Sequence, residues 1–316
     1  MQRLHPQARA VLDAIAALGG SAGEPASVDE MRRLQVVEAQ FSGAPQAVGA
    51  VRDFQVDGPA GLIGVRLYTP DVAGPRPTVM FIHGGGWVLG SVELSDALCR
   101  ALCRASGMLI ASVEYRLAPE HPFPAGLDDA YSVLVWLHAN PAELDAIPGL
   151  LAVCGDSAGG NLSAAVALKA RDEGGPRLAL QCLIYPALDP TLAGESYERL
   201  AKGFGLTREE MRRFWDLYLT RAEDAANPYA SPLRAADVSG VAPAFIVTAG
   251  YDPLLDDGEH YAEMLRAAGV RTRTVSYPGM IHGFVSYLGW IDVAHSAIEE
   301  CAAALKDAMA TQFAST

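Results

Sequence analysis

The chain has 316 residues, half of them hydrophobic and 19% charged, with a formal net charge of −13. That suits one large α/β domain, or two small ones, with a sizeable core. An acid excess with no basic cluster argues against a nucleic-acid partner, and no apolar run is long enough to span a bilayer.

Five cysteines (Cys99, Cys103, Cys154, Cys182, Cys301) cannot all pair. Their helical and apolar-strand settings read as buried thiols in a reducing cytoplasm. No zinc spacing appears, so no metal is expected.

Residues 1–18 read as an amphipathic helix ending at Gly19-Gly20, rather than as a signal peptide. Ser27–Gln40 reads as a second helix, with Ser27 and Glu30 as a capping box. Val51–Val56 and Leu62–Tyr68 suggest an antiparallel hairpin through Asp57-Gly58, with a loop slightly longer than two residues. Strand and helix then alternate: Thr78–Ile82, Leu94–Ser106, Met108–Val113, Gly126–Ala139, Leu150–Cys154, Asn161–Arg171 and the strand Leu178–Tyr185. Residues 188–226 interrupt this rhythm with helical patterns at Ser196–Leu200 and Thr207–Thr220. It resumes with Ala244–Thr248, Gly258–Ala268, Arg271–Tyr277 and His295–Met309. Such alternation implies a mostly parallel sheet with helices on both faces. An insertion in it is expected over the carboxyl ends of the strands.

The most informative stretch is Gly155-Asp156-Ser157-Ala158-Gly159-Gly160, between an apolar strand and an Ala-rich helix. A serine on so sharp a strand–turn–helix corner is a candidate nucleophile. Glycines two residues to either side remove Cβ atoms that would clash. The alternative is an ordinary tight turn with a solvated serine.

His83-Gly84-Gly85-Gly86-Trp87 follows the Thr78–Ile82 strand. Three glycines between bulky flanks suit a loop that brings backbone N–H groups to a developing oxyanion. Gly85, Gly86 and Ala158 are the expected donors, with Gly84 as the substitute if the loop sits one residue differently. His83 reads as a bracing residue.

A serine of this kind is followed along the chain by its acid and then its histidine, which leaves His260, His282 and His295. His282 sits in Pro278–Phe284, directly after a strand and next to glycine, and is favoured. Asp252 follows Ala244–Thr248 and precedes Pro253, which keeps a helix from starting through it. Asp256 is the second choice for the acid; Asp256 and Asp257 also read as helix N-terminal charges.

Taken together, His83–Gly86, Tyr115-Arg116-Leu117-Ala118-Pro119-Glu120, Gly155–Gly160, Asp252-Pro253-Leu254 and His282-Gly283-Phe284 resemble the hormone-sensitive-lipase-like family of α/β-hydrolase carboxylesterases, in its bacterial GDSAGG branch. The resemblance covers roughly residues 45–310. It implies an α/β-hydrolase fold with an eight-stranded sheet whose second strand is antiparallel. It also implies a helical cap built from residues 1–45 and 188–226 over a core of 46–187 and 227–316. Tyr115–Glu120 and Asp128-Asp129 read as structural.

The expected activity is hydrolysis of short- to medium-chain carboxylic esters by Ser157, His282 and Asp252, with no cofactor. The only partner expected is a small-molecule ester; dimers are frequent in this branch, which leaves assembly open by analogy. An amidase could use the same triad. A non-catalytic binding module is disfavoured by the presence of His282. Candidate pocket-facing residues are Leu34, Phe204, Leu206, Phe214 and Leu217 from the cap, with Trp87, Leu254 and Phe284 from the core. Phe204 and Phe214 are the expected end wall, and ordinary cap packing is the alternative role for the set.

Overall fold

A computed structural model of the protein describes residues 3–18 and 27–314. Two N-terminal helices come first, α1 (Pro6–Ala17) and α2 (Val28–Glu38). Proline opens α1 at a position where no N–H is needed. Both halves of the Ser27–Glu30 capping box form at α2. The expected stop at Gly19-Gly20 lies outside the described residues.

The core follows as β1 (Ala50–Gly58), β2 (Gly61–Thr69), β3 (Arg76–Ile82), α3 (Asp96–Ser106), β4 (Leu109–Glu114), α4 (Ala125–Ala139), the single turn α5 (Pro141–Leu144), β5 (Ala146–Asp156), α6 (Ala158–Asp172) and β6 (Gln181–Ile184). The insertion carries α7 (Glu195–Arg199) and α8 (Arg208–Tyr218). The core then closes with β7 (Ala244–Tyr251), α9 (Leu255–Ala267), β8 (Thr272–Ile281) and α10 (Asp292–Phe313).

Among the described residues the strands form one eight-stranded sheet in the order β1-β2-β4-β3-β5-β6-β7-β8. β2 runs antiparallel to both neighbours, and β4 through β8 pair in parallel. The central strands are continuous apolar runs because both faces are covered. Val79 and Phe81 of β3 face a core shared with α3 and α10, while Met80 and Ile82 face one shared with α4, α6 and α8. That is the two-residue period of a strand.

Some boundaries move. Gly58 pairs with Gly61, so the hairpin loop is the two residues Pro59-Ala60, shorter than expected. β8 continues through Pro278, which an edge strand tolerates because it is flanked by one neighbour only. α9 begins three residues earlier than its apolar pattern, taking in Asp256 and Asp257.

Those two aspartates do more than charge a helix end. Asp257 is buried, and its Oδ2 accepts from Leu188 N–H (2.7 Å), Asp189 N–H (3.3 Å) and the Tyr197 hydroxyl (3.2 Å). Asp256 Oδ2 accepts from Ser196 N–H at 2.8 Å. Together they tie the start of the insertion to the core.

Burial pushes the Asp257 carboxyl up to about 8. In the unfolded chain it titrates near about 3.9. Between these values the folded protein holds a proton that the unfolded chain has released. Its contribution is therefore full below pH of about 4 and is lost as pH rises through about 8. Asp257→Asn is expected to flatten the dependence of unfolding free energy on pH across this window. Chemical denaturation of both proteins at several pH values checks this; a difference that stays constant from pH 5 to 8 contradicts it.

Candidate active site

Ser157 stands between β5 and α6 with φ +55° and ψ −118°, a left-handed conformation rarely adopted by a residue with a Cβ. Two contacts hold it there. Its N–H donates to Ile184 O of β6 at 2.8 Å, and close packing on both sides leaves no room to relax. A Cβ on Gly155 would lie 2.3 Å from Gly159 O, and one on Gly159 would lie 1.9 Å from Ile82 O. The two glycines let β3, β5 and α6 meet at the corner.

Asp252 and His282 reach the serine from the loops that follow β7 and β8. His282 follows β8, and its Nε2 is 3.0 Å from Ser157 Oγ. Its Nδ1 is 2.7 Å from Asp252 Oδ2. A carboxylate only accepts, so Nδ1 carries the proton and Nε2 is the free acceptor facing the hydroxyl. Asp252 follows β7 and is fully buried; its other oxygen accepts from Leu254 N–H at 2.8 Å. The structure thus brings together the three residues singled out from the sequence, although 95 positions separate Ser157 from Asp252. His260 lies exposed on α9, and His295 on α10 faces Leu288 O at 3.0 Å. Neither joins the group.

The glycine loop packs against the same corner. Gly85 (φ +113°) and Gly86 (φ +59°) adopt conformations that favour glycine, and neither N–H donates to a protein acceptor among the described residues. The N–H of Ala158, first residue of α6, lies at a helix start where donors are free. Gly84 is different: its N–H donates to Asp156 Oδ1 at 2.9 Å. This removes Gly84 as the substitute oxyanion donor. Its missing Cβ instead admits Asp156, whose Oδ2 lies 2.5 Å from where that atom would be.

His83 braces the loop, as expected. It stacks on Tyr115 with ring centroids 4.3 Å apart, and its Nδ1–H donates to Gly84 O at 2.8 Å. Burial pushes its imidazole down to about 4, so it is neutral near pH 7. The Tyr115–Glu120 segment is also structural: Tyr115 OH donates to His83 O, and Arg116 makes a two-pronged pair with buried Asp129 at 2.8 Å.

The candidate pocket residues separate into two groups. Phe214 of α8 lies over the glycine loop, and a Cβ on Gly86 would sit 2.4 Å from its ring. Trp87 is enclosed beside it, stacked on Tyr218 at 4.4 Å and against Trp215 at 4.2 Å. Leu206 and Leu217 are half-buried against this core, and Leu254 is fully enclosed in it. Phe204 packs elsewhere, on Tyr251 at 4.9 Å. Phe284 is sealed in that second core under Tyr185. Leu34 is half-buried on α2. Phe204 and Phe214 therefore pack against different clusters.

Two residues near the group escaped the sequence reading. Asp156 anchors Gly84, and burial pushes its carboxyl up to about 6. The ring of buried Tyr185 lies 4.6 Å from that of His282. Asp156 was visible as the second residue of the serine motif; nothing in the apolar run ending at Tyr185 marked that tyrosine.

A family model described as alpha/beta hydrolase fold matches residues 79–286. The carboxylic ester hydrolase LipN of Mycobacterium tuberculosis is 47% identical over 248 residues, which are 77% of this chain and 66% of LipN. The carboxylesterase NlhH of the same organism is 43% identical over 78% of this chain and 79% of its own. The hyperthermophilic esterase of the archaeon Pyrobaculum calidifontis superposes with a TM-score of 0.92 at 39% identity, covering 97% of this chain and 99% of that one. Fold, sequence and neighbours define the class as carboxylic ester hydrolases. The chain belongs to the α/β-hydrolase family, in its hormone-sensitive-lipase-like group.

Proposed function

We propose that this carboxylesterase acts on esters of short- to medium-chain acids through Ser157, His282 and Asp252. The observation that carries the reading is the His282 imidazole, hydrogen-bonded to Asp252 on one side and to Ser157 on the other. Ser157 Oγ attacks the ester carbonyl while its proton passes to His282 Nε2. The carbonyl oxygen becomes an oxyanion facing the N–H groups of Gly85, Gly86 and Ala158. The C–O bond then breaks, and the alcohol leaves with the proton from His282. Water, deprotonated by the same nitrogen, releases the acid and restores Ser157. Asp252 holds the imidazole in the required tautomer throughout. An active-site-directed phosphonate is expected to label Ser157; mass-spectrometric mapping to another serine overturns the assignment.

Residues 1–45 and 188–226 form the proposed cap on the 46–187 and 227–316 core. Supporting this, α8 places Phe214 on the glycine loop, and α7 is tied to α9 through Asp256 and Asp257. Among the described residues no helix is long and apolar enough to cross a membrane, and all five cysteines are buried free thiols. We place the protein in the cytoplasm on the second observation. A homodimer is suggested by the family resemblance alone and is open to sedimentation analysis.

A covered pocket gains about 0.8 kcal/mol per buried CH₂, roughly fourfold in kcat/KM for each added carbon. The gain ends when the chain meets packed side chains. Efficiency over p-nitrophenyl esters is therefore expected to rise from acetate and fall before palmitate. Phe214→Ala is expected to move the optimum to longer chains, and more so than Phe204→Ala, because only Phe214 sits over the glycine loop. A flat wild-type profile, or a profile unmoved by Phe214→Ala, contradicts the cap reading.

A further inference from the structure

The glycine loop is held at both ends, and the two anchors come from different parts of the chain. Val88 N–H and Leu89 N–H both donate to Gly85 O, at 3.1 and 2.8 Å. Residues 85–89 are therefore one closed turn, and the directions of the Gly85 and Gly86 N–H groups follow the turn as a unit. The loop also closes on itself: a Cβ on Gly90 (φ +92°) would lie 2.3 Å from Gly84 O. The entry side is pinned from within the core by Asp156 on Gly84 N–H.

The exit side is pinned by α2. Gly90 N–H donates to Gln35 Oε1 at 2.7 Å. Arg32 Nε donates to Val88 O at 3.0 Å, and its Nη2 to Ala118 O at 3.2 Å. Glu120 holds the same guanidinium through two 2.8 Å bonds. Arg32 and Gln35 are three apart, so they project from one face of the helix. α2 has no fully buried side chain, so its attachment rests heavily on such polar contacts.

We propose that Gln35 and Arg32 are positioning residues for ester hydrolysis: from the N-terminal cap helix they hold the turn that aims the Gly85 and Gly86 N–H groups at the oxyanion. This rests on the reading of Ser157 as nucleophile and of those amides as oxyanion donors. Because the amides matter most once charge has developed on the carbonyl oxygen, a loosened turn costs transition-state stabilisation and leaves ground-state binding nearly unchanged. Loss of one complete oxyanion donor costs about 10²–10³ in kcat. A loosened anchor is expected to cost a fraction of that, about tenfold.

The test compares Gln35→Leu, Gln35→Glu, Arg32→Met and Arg33→Met with the wild type on one chromogenic ester. Glutamate keeps an acceptor for Gly90 N–H and leucine does not; Arg33 is exposed on the same helix and makes none of these contacts. Expected are a roughly tenfold fall in kcat for Gln35→Leu and for Arg32→Met, with KM within twofold. Gln35→Glu and Arg33→Met should stay near wild type. Affinity for a trifluoromethyl ketone, which forms the tetrahedral oxyanion, should fall by the same factor as kcat/KM. Thermal melts of each variant distinguish this from unfolding, which lowers active-enzyme concentration but not inhibitor affinity per active site. Wild-type kcat in both Gln35→Leu and Arg32→Met overturns the proposal, as does a fall in kcat without a parallel fall in ketone affinity. Ser157→Ala in the same assay keeps the two readings apart: if it retains turnover, the underlying assignment fails as well, whereas its loss beside normal Gln35→Leu and Arg32→Met rates overturns the α2 anchor alone.

Discussion

Ser157→Ala is expected to lower kcat by about 10⁴-fold or more and to leave the fold intact. Alanine keeps the Cβ and the backbone demands of the corner, so the contacts that impose φ +55° are unchanged. What disappears is the oxygen 3.0 Å from His282 Nε2. Without it no acyl-enzyme can form. Any residual rate comes from water attacking a carbonyl still polarised by backbone N–H groups. Burst kinetics with an activated ester and a thermal melt check both halves. Retention of more than a few per cent of wild-type turnover would falsify the assignment.

Asp252→Asn is the second large effect, also about 10⁴-fold in kcat, for a different reason. The carboxylate accepts the Nδ1 proton of His282 at 2.7 Å. An asparagine can turn its amide N–H₂ toward the same nitrogen, so that Nδ1 becomes the acceptor. The imidazole proton then sits on Nε2, facing the serine, and the base is lost although the fold remains. Asp256→Asn is the discriminating control. Its carboxylate is engaged with Ser196 N–H at 2.8 Å rather than with the histidine, and it should cost turnover little. Near-normal rates from Asp252→Asn together with a collapse from Asp256→Asn would transfer the role of the acid.

Much of this was legible before any coordinates. The serine corner could be read because its chemistry is local: a strained turn needs small residues at fixed offsets, and Gly155, Gly159 and Gly160 occupy them. The sheet could be read because strands buried on both faces are unbroken apolar runs. Asp252 could be singled out because it follows such a run, and His282 because it follows the edge strand β8, each at the end where loops carry function. The capping box at Ser27 is likewise a local code, and it forms.

What the sequence left open depends on contacts between distant segments. That the Gly84 N–H is already engaged depends on Asp156, which lies 72 positions away and accepts it. Asp256 and Asp257 read as helix-end charges until the fold brings residues 188–197 onto them. Phe204 and Phe214 are ten residues apart in one insertion, yet they enter different cores because the sheet lies between those cores. The same holds for α2: its sequence shows a capped amphipathic helix and nothing of Val88 or Gly90. By itself the sequence determined the class of chemistry and singled out Ser157, Asp252 and His282 as its candidates, because those requirements are written in short-range spacing. Only the tertiary structure decided which N–H groups are engaged and what α2 and the 188–226 insertion grip, because a hydrogen bond between distant segments leaves no periodic trace along the chain.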